Sequence, residues 1–202
     1  MSDVGMITTV TDACVFVRQW FGWADELAGG PITAPFEVPD AIKCVNRQLG
    51  KLWLPNHDLP EPEVDLFSVQ DRLVSPHCFE QDADGVVAAI WENQYVWGCG
   101  FKPSTGSQLW VSGDWPDAQS DMGAWRPTPD RVDTPIIFVL LANMMWASEM
   151  SEMDDADKRP TGIDRPLWRV GPWHGFDGFW INDARDIIRM QGLGWGLTAW
   201  RT

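Results

Sequence analysis

The chain has 202 residues, and 15 Lys and Arg against 29 Asp and Glu leave a formal net charge of −14 and a sequence pI near 4.4. That length fits one domain, or one domain with an appendage, and a composition of 45% hydrophobic and 22% charged residues excludes disorder over most of it. The charge argues against nucleic acid, whose capture relies on neutralised phosphates, and against an anionic membrane surface; it suits a basic partner, or simply solubility.

Met1 to Val10 carries no basic segment leading into an apolar run, so no secretory signal is expected. Pro135 to Ala147, the most apolar stretch, contains Asn143 and falls short of the about 20 residues that a membrane span needs. It reads as a buried helix. Cys14, Cys44, Cys78 and Cys99 lie 30, 34 and 21 positions apart, with no close pair. Free buried thiols in a reducing cytoplasm are therefore expected. The 14 tryptophans against a single tyrosine, Tyr95, could form sugar-stacking platforms, but a Trp-filled core is the plainer expectation.

In chain order, Val10, Cys14, Val17 and Phe21 recur at helical spacing within 9–23, with Thr11 or Asp12 available as cap and Gly29-Gly30-Pro31 as the break. Pro39 opens a second short helix, with Ile42, Val45 and Leu49 inward and Gly50 at C′. Lys51 to Val64 carries three prolines and reads as an ordered loop. Val86 to Trp91 and Tyr95 to Phe101 form a predicted hairpin around Glu92-Asn93-Gln94, and Gln108 to Ser112 continues as a third strand. Gly98 and Gly100 mark a bulge or a close backbone approach. The longest helix is expected from the N-cap Thr134 and Pro135 to Met150, buried on most sides. Glu149 to Asp157 reads as an acidic surface linker, and Pro166 to Trp200 as short aromatic strands. The order of elements is α+β.

Motifs for chemistry are scarce. His57, His77 and His174 are scattered, and no local spacing of Cys and His suits a metal. Asp114, Asp117 and Asp121 lack the glycine and terminal Glu of a calcium loop. No G-x-S-x-G is present. His174 and Asp177 lie in a Gly-rich loop that reads more simply as solvated than as a hydrolase site, and Gly192, Gly194 and Gly196 sit too near the end to open a phosphate-binding helix. Neither a metal nor a cofactor is expected.

The middle of the chain carries a more specific pattern. Phe36-Glu37-Val38-Pro39 leads into the helix ending at Gly50, then Asp71-Arg72-Leu73-Val74-Ser75-Pro76 gives D-x-L-x-x-P, and Glu92-Asn93-Gln94-Tyr95-Val96-Trp97 follows in a hairpin. This order resembles the SUKH superfamily of bacterial immunity proteins and fungal cell-wall-synthesis regulators, over residues 36–150. Tyr95 departs from the glycine frequent in relatives, and Ser75 from a second proline. The resemblance implies an α+β domain at 1–150, an antiparallel curved sheet with packed N-terminal and central helices, here followed by a Trp-rich β extension at 151–202.

It also implies binding without catalysis: a cytoplasmic immunity protein that neutralises a toxin domain, often a nuclease, by direct contact. An inhibitor of charge −14 would be steered to a basic substrate channel. The candidate contact residues are Glu92, Gln94, Tyr95 and Trp97 at the hairpin and Glu152, Asp154, Asp155 and Asp157 in the acidic run. Against this stands a turn held by the side chains of Glu92 and Asn93, and a merely solvated linker. Asp71 is expected to cap or to pair near Arg72. The alternative function is a regulatory or ligand-sensing domain that holds a small molecule or peptide in a Trp-lined cleft.

Overall fold

The computed structural model describes residues 7–23, 27–53, 63–115, 118–119, 121, 123–155, 161–169, 175–192 and 194–201. They form an α+β fold of helices α1 (Val10–Phe21), α2 (Asp40–Leu49) and α3 (Asp133–Trp146) on two antiparallel sheets. The first sheet contains β1 (Arg72–Leu73), β2 (Val87–Trp91), β3 (Trp97–Phe101), β4 (Gln108–Trp115), β5 (Ala118–Gln119) and β6 (Arg126–Arg131). They run β1-β2-β3-β4-β5, with β6 also paired to β4. The second contains β7 (Met150–Asp155), β8 (Arg165–Trp168), β9 (Phe176–Ile181), β10 (Ile187–Gly192) and β11 (Trp195–Trp200), in the order β7-β11-β10-β9-β8. None of the described helices is long and apolar enough to cross a membrane.

The helix ends differ from the expected ones for local reasons. Helix α1 is capped by Thr9, whose hydroxyl accepts from the Asp12 N–H while the Asp12 carboxylate accepts from the Thr9 N–H; Asp12 is thus the third residue of a capping box, not the cap. Gly22, in the left-handed region at φ 74°, ends it well before Gly29. Pro39 precedes α2 as its cap, and Ile42, Val45 and Leu49 are buried as expected. Gly50 is right-handed at φ −63°, so it is not the C′ residue the sequence implied. A glycine is required there because any Cβ would press on the Gly29 backbone at 2.7 Å. In α3 the cap is Val132, which makes no side-chain bond, and Thr134 lies inside the helix.

In the first sheet a register shift between Ala88 and Ile90 places a bulge in β2, and the β4–β6 pairing also shifts register, with the extra residues on β6. Such bulges bend and twist a sheet. Gly98 and Gly100 serve the close approach foreseen for them: a Cβ on Gly98 would enter the Trp91 ring, and one on Gly100 would strike the Val87 carbonyl.

The acidic run is not a linker. Met150 to Asp155 is an edge strand, paired along its whole length with β11 from Trp195↔Asp155 to Trp200↔Met150. Met150, expected to end the first helix and domain, is already its first residue.

One hydrophobic cluster spans both sheets and all three helices, from Ile90, Phe101 and Val111 through Leu140 to Phe179, Met190 and Leu197. Helix α3 is buried nearly all round because it packs on α1, α2 and β11, with the Phe138 ring 4.8 Å from that of Phe176. Trp20 in α1 donates to the Ser148 hydroxyl at 2.9 Å, tying α1 to the end of α3. The tryptophans are mainly core: Trp20, Trp23, Trp97, Trp168 and Trp180 are buried, and none whose side chain is described is fully exposed.

Candidate functional site

The β1–β2 register pairs Arg72 with Trp91 and Leu73 with Ile90. One step further along the same antiparallel ladder, Asp71 falls opposite Glu92. Asp71 is only 6% exposed. Its backbone is fixed by Asn143, the single amide of α3, which accepts from the Asp71 N–H at 3.0 Å and donates to the carbonyls of Asp71 at 2.7 Å and Leu66 at 2.8 Å. The expected role for Asp71, a cap or a partner near Arg72, is therefore replaced by a buried position beside a second carboxylate. Burial first, and then the Glu92 charge, push its carboxyl up to about 7, against a lowering hydrogen bond from the Asn93 N–H.

The hairpin tip is organised by Glu92. Its carboxylate accepts from the N–H groups of Gln94 at 2.8 Å and Val96 at 3.1 Å, while its carbonyl accepts from the Tyr95 N–H at 2.9 Å. The side chain that ties this turn is thus the carboxylate of Glu92. Gln94, Tyr95 and Val96 are exposed, Tyr95 by 56%. At φ 57° Tyr95 occupies a left-handed conformation better suited to glycine, and its ring lies 6.2 Å from that of Trp91. Trp97, expected as a partner-contacting anchor, is 7% exposed, because β3 is buried along its whole length.

Below this tip, the first sheet, α3 and the second sheet enclose a cleft of about 210 Å³. Asp71, Glu92 and Gln70 form its polar side; Trp97, Trp146, Trp195, Phe138, Phe176 and Met190 form its walls. The three tryptophans come from β3, α3 and β11, so the cleft exists only where both sheets meet the helix. Chemically, it offers two carboxyl groups and an aromatic chamber, and no basic side chain among the described residues lines it.

The acidic strand divides its residues between two uses. Arg189 of β10 is 0% exposed and donates to the Asp154 carboxylate at 2.8 Å, to the Asp155 carbonyl at 3.2 Å and to the Thr198 hydroxyl at 2.8 Å. Gly196 leaves the space for that guanidinium. Asp154 is therefore committed to an internal ion pair and does not present a free charge to a partner. Glu152 and Asp155 are exposed on the strand, and Asp157 lies outside the described residues. The strand thus lies on the second sheet, whereas the hairpin belongs to the first.

His57 and His174 also lie outside the described residues; His77 and Asp177 are exposed. No group of three or more His, Cys, Asp or Glu among the described residues is arranged to hold a metal ion. Of the cysteines, Cys78 is exposed, contrary to the expected burial, because it ends a surface 3₁₀ turn. The α1–α2 packing brings Cys14 and Cys44 into hydrogen-bond contact, which 29 intervening residues had concealed. That contact and the Thr11 hydroxyl 3.2 Å away make Cys44 the more acidic thiol of the pair.

Comparison with protein-family models, with curated proteins and with solved structures finds no match to this chain.

Proposed function

We propose that this chain is a non-enzymatic, cytoplasmic binding protein of the immunity type, which neutralises a basic toxin domain by direct contact. One observation carries the reading: a buried acid, Asp71, held opposite Glu92 inside an aromatic cleft beneath an exposed hairpin tip. A strongly acidic protein that keeps a buried carboxyl beside a second carboxylate forgoes stability, and a cationic partner recovers it. The exposed Tyr95 and Gln94 supply the aromatic and polar contacts typical of an interface anchor and its rim. The order of motifs shared with the SUKH superfamily agrees with this reading.

The test is to capture partners of tagged protein from its source cells at low salt, then to assay the recovered basic domain with and without equimolar protein. Loss of the domain's toxic activity on addition of the wild-type chain, and its retention with Tyr95→Ala and Asp71→Ala together, is expected. Unchanged toxic activity at saturating protein overturns the reading.

The alternative, a sensor domain with a Trp-lined cleft, is favoured by the walls of Trp97, Trp146 and Trp195. The cleft volume of about 210 Å³ is below the roughly 300–1,000 Å³ usual for small-molecule sites, and so favours a single side chain over a whole free ligand. A stoichiometric small molecule in the native mass spectrum would reverse that preference.

A further inference from the structure

We propose that the cleft is a socket for one guanidinium side chain of a basic protein partner, with Asp71 and Glu92 as its acceptors and the indoles of Trp97, Trp146 and Trp195 as its walls. This rests on the reading of the chain as the captor of a basic protein, and it specifies which atoms of the partner do the work.

Begin with what holds the acid in place. All three hydrogen bonds of the Asn143 amide go to the chain at Leu66 and Asp71. A buried amide with all its bonds made is rigid, so Asp71 sits at a fixed point of the cleft rather than on a mobile loop. Glu92 is fixed independently by the turn it ties, and two of its hydrogen-bond sites are filled by the Gln94 and Val96 N–H groups. A carboxylate accepts at about four lone-pair sites, so capacity remains for a ligand. Two preorganised carboxyl groups from facing chain segments thus converge on one end of the cleft. Left alone, they repel one another; a cation between them removes both that repulsion and the cost of burying the charge.

The identity of the cation follows from the walls. A calcium ion takes six to eight oxygen ligands, and among the described residues this cleft offers two carboxyl groups and the Gln70 amide against seven apolar side chains. Aromatic faces instead attract organic cations. Among these, guanidinium is planar and weakly hydrated; it stacks on indole and matches a carboxylate with two parallel N–H donors, whereas an ammonium is a compact, strongly hydrated point charge.

The source of the guanidinium follows from the charge around it. A free amino acid would bring an α-carboxylate into a cleft with no basic lining residue among the described residues, on a chain of net charge −14. A side chain entering from a protein brings no such anion, and its main chain would meet exposed Tyr95 and Val96 above.

The test uses the intact chain and four probes: Nα-acetyl-arginine methylamide, the corresponding lysine and citrulline derivatives, and free L-arginine, followed by tryptophan fluorescence and by NMR titration. The capped arginine is expected to saturate the signal, with the neutral citrulline analogue about tenfold weaker or more, the lysine derivative between them, and free arginine weaker than the capped form. Asp71→Asn, nearly the same in shape, is expected to weaken the arginine probe by about tenfold while the protein remains folded by near-UV circular dichroism. Equal binding of arginine and citrulline probes, or no effect of Asp71→Asn, overturns the socket. Free arginine binding as tightly as the capped probe overturns the assignment to a protein side chain. If the wild type and Asp71→Asn neutralise a captured toxin equally well while no probe binds, the socket fails and the immunity reading stands; if the probe binds but no basic protein is neutralised, it is the immunity reading that fails.

Discussion

Asp71 is an acid whose proton is worth stability. Its ordinary pKa is 3.8, and in the fold it is pushed up to about 7 by burial and by the Glu92 carboxylate, with the buried Cys99 thiol also within its electrostatic reach. Between those pH values the folded chain holds a proton that the unfolded chain has released, so stability falls as pH rises through the window and is fully present below it. At about 1.4 kcal/mol per pH unit, the loss by pH 8 is bounded at about 4 kcal/mol. Asp71→Asn cannot ionise. Its urea midpoint is expected to match wild type near pH 4 and to exceed it at pH 8. Identical midpoints at pH 8 would mean that the ionised carboxylate is already satisfied without a ligand. A residue that destabilises the free protein at neutral pH, yet is anchored by a buried amide, is what a binding role requires. Its position was hidden from the sequence, because Asp71 and Glu92 meet only through the β1–β2 register. Asn143 was visible as the one amide of an apolar run, but its partners 72 and 77 residues away were not.

At the scale of elements, the hairpin and the acidic strand behave oppositely. The hairpin was legible: turn-forming residues between two β-rich runs mark β2 and β3 nearly to their ends. Tyr95 was legible only as a departure from the glycine frequent in relatives; that it keeps the left-handed conformation, at φ 57°, was not. Such a conformation costs a side-chain-bearing residue about 1 kcal/mol or somewhat more. Tyr95→Gly is therefore expected to leave thermal stability equal or raised, while it weakens partner binding by about tenfold through loss of an exposed aromatic contact. A parallel fall in both would show the ring to be structural.

The acidic strand was illegible for the opposite reason. A run of Glu and Asp satisfies every rule for a solvated segment, and what makes it a strand is β11 beside it and Arg189 beneath it. Asp154→Ala strands that buried guanidinium with a lost counter-ion. Removing one partner of a buried pair costs about 3–5 kcal/mol, and with the acid 23% exposed roughly 2–3 kcal/mol is expected in urea unfolding. A loss below about 0.5 kcal/mol, the level of a surface pair, would return Asp154 to the pool of residues free to meet a partner.

For the whole molecule, the proposed function divides the labour of binding between charge and shape. Apolar strands separated by turns showed that an α+β fold with antiparallel strands was to be expected, but not that the strands would sort into two sheets around one helix. That sorting creates the cleft, because its walls come from β3, α3 and β11 together. The net charge of −14 belongs to the surface at large, and Glu152 and Asp155 stand exposed on a different sheet from the hairpin. Long-range attraction to the proposed basic partner would thus be spread widely, while the short-range contacts would be local. Spread charge governs encounter and is screened over about 8 Å at physiological ionic strength; buried, hydrogen-bonded charge governs dissociation. Raising salt is therefore expected to slow association with a basic toxin domain by about tenfold or more while dissociation changes little. Asp71→Asn is expected to do the reverse, speeding dissociation with little effect on association. Stopped-flow mixing across a salt series, with each protein in turn, separates the two. If salt and Asp71→Asn acted on the same rate constant, the cleft would be one more surface charge and not the place where the partner is held.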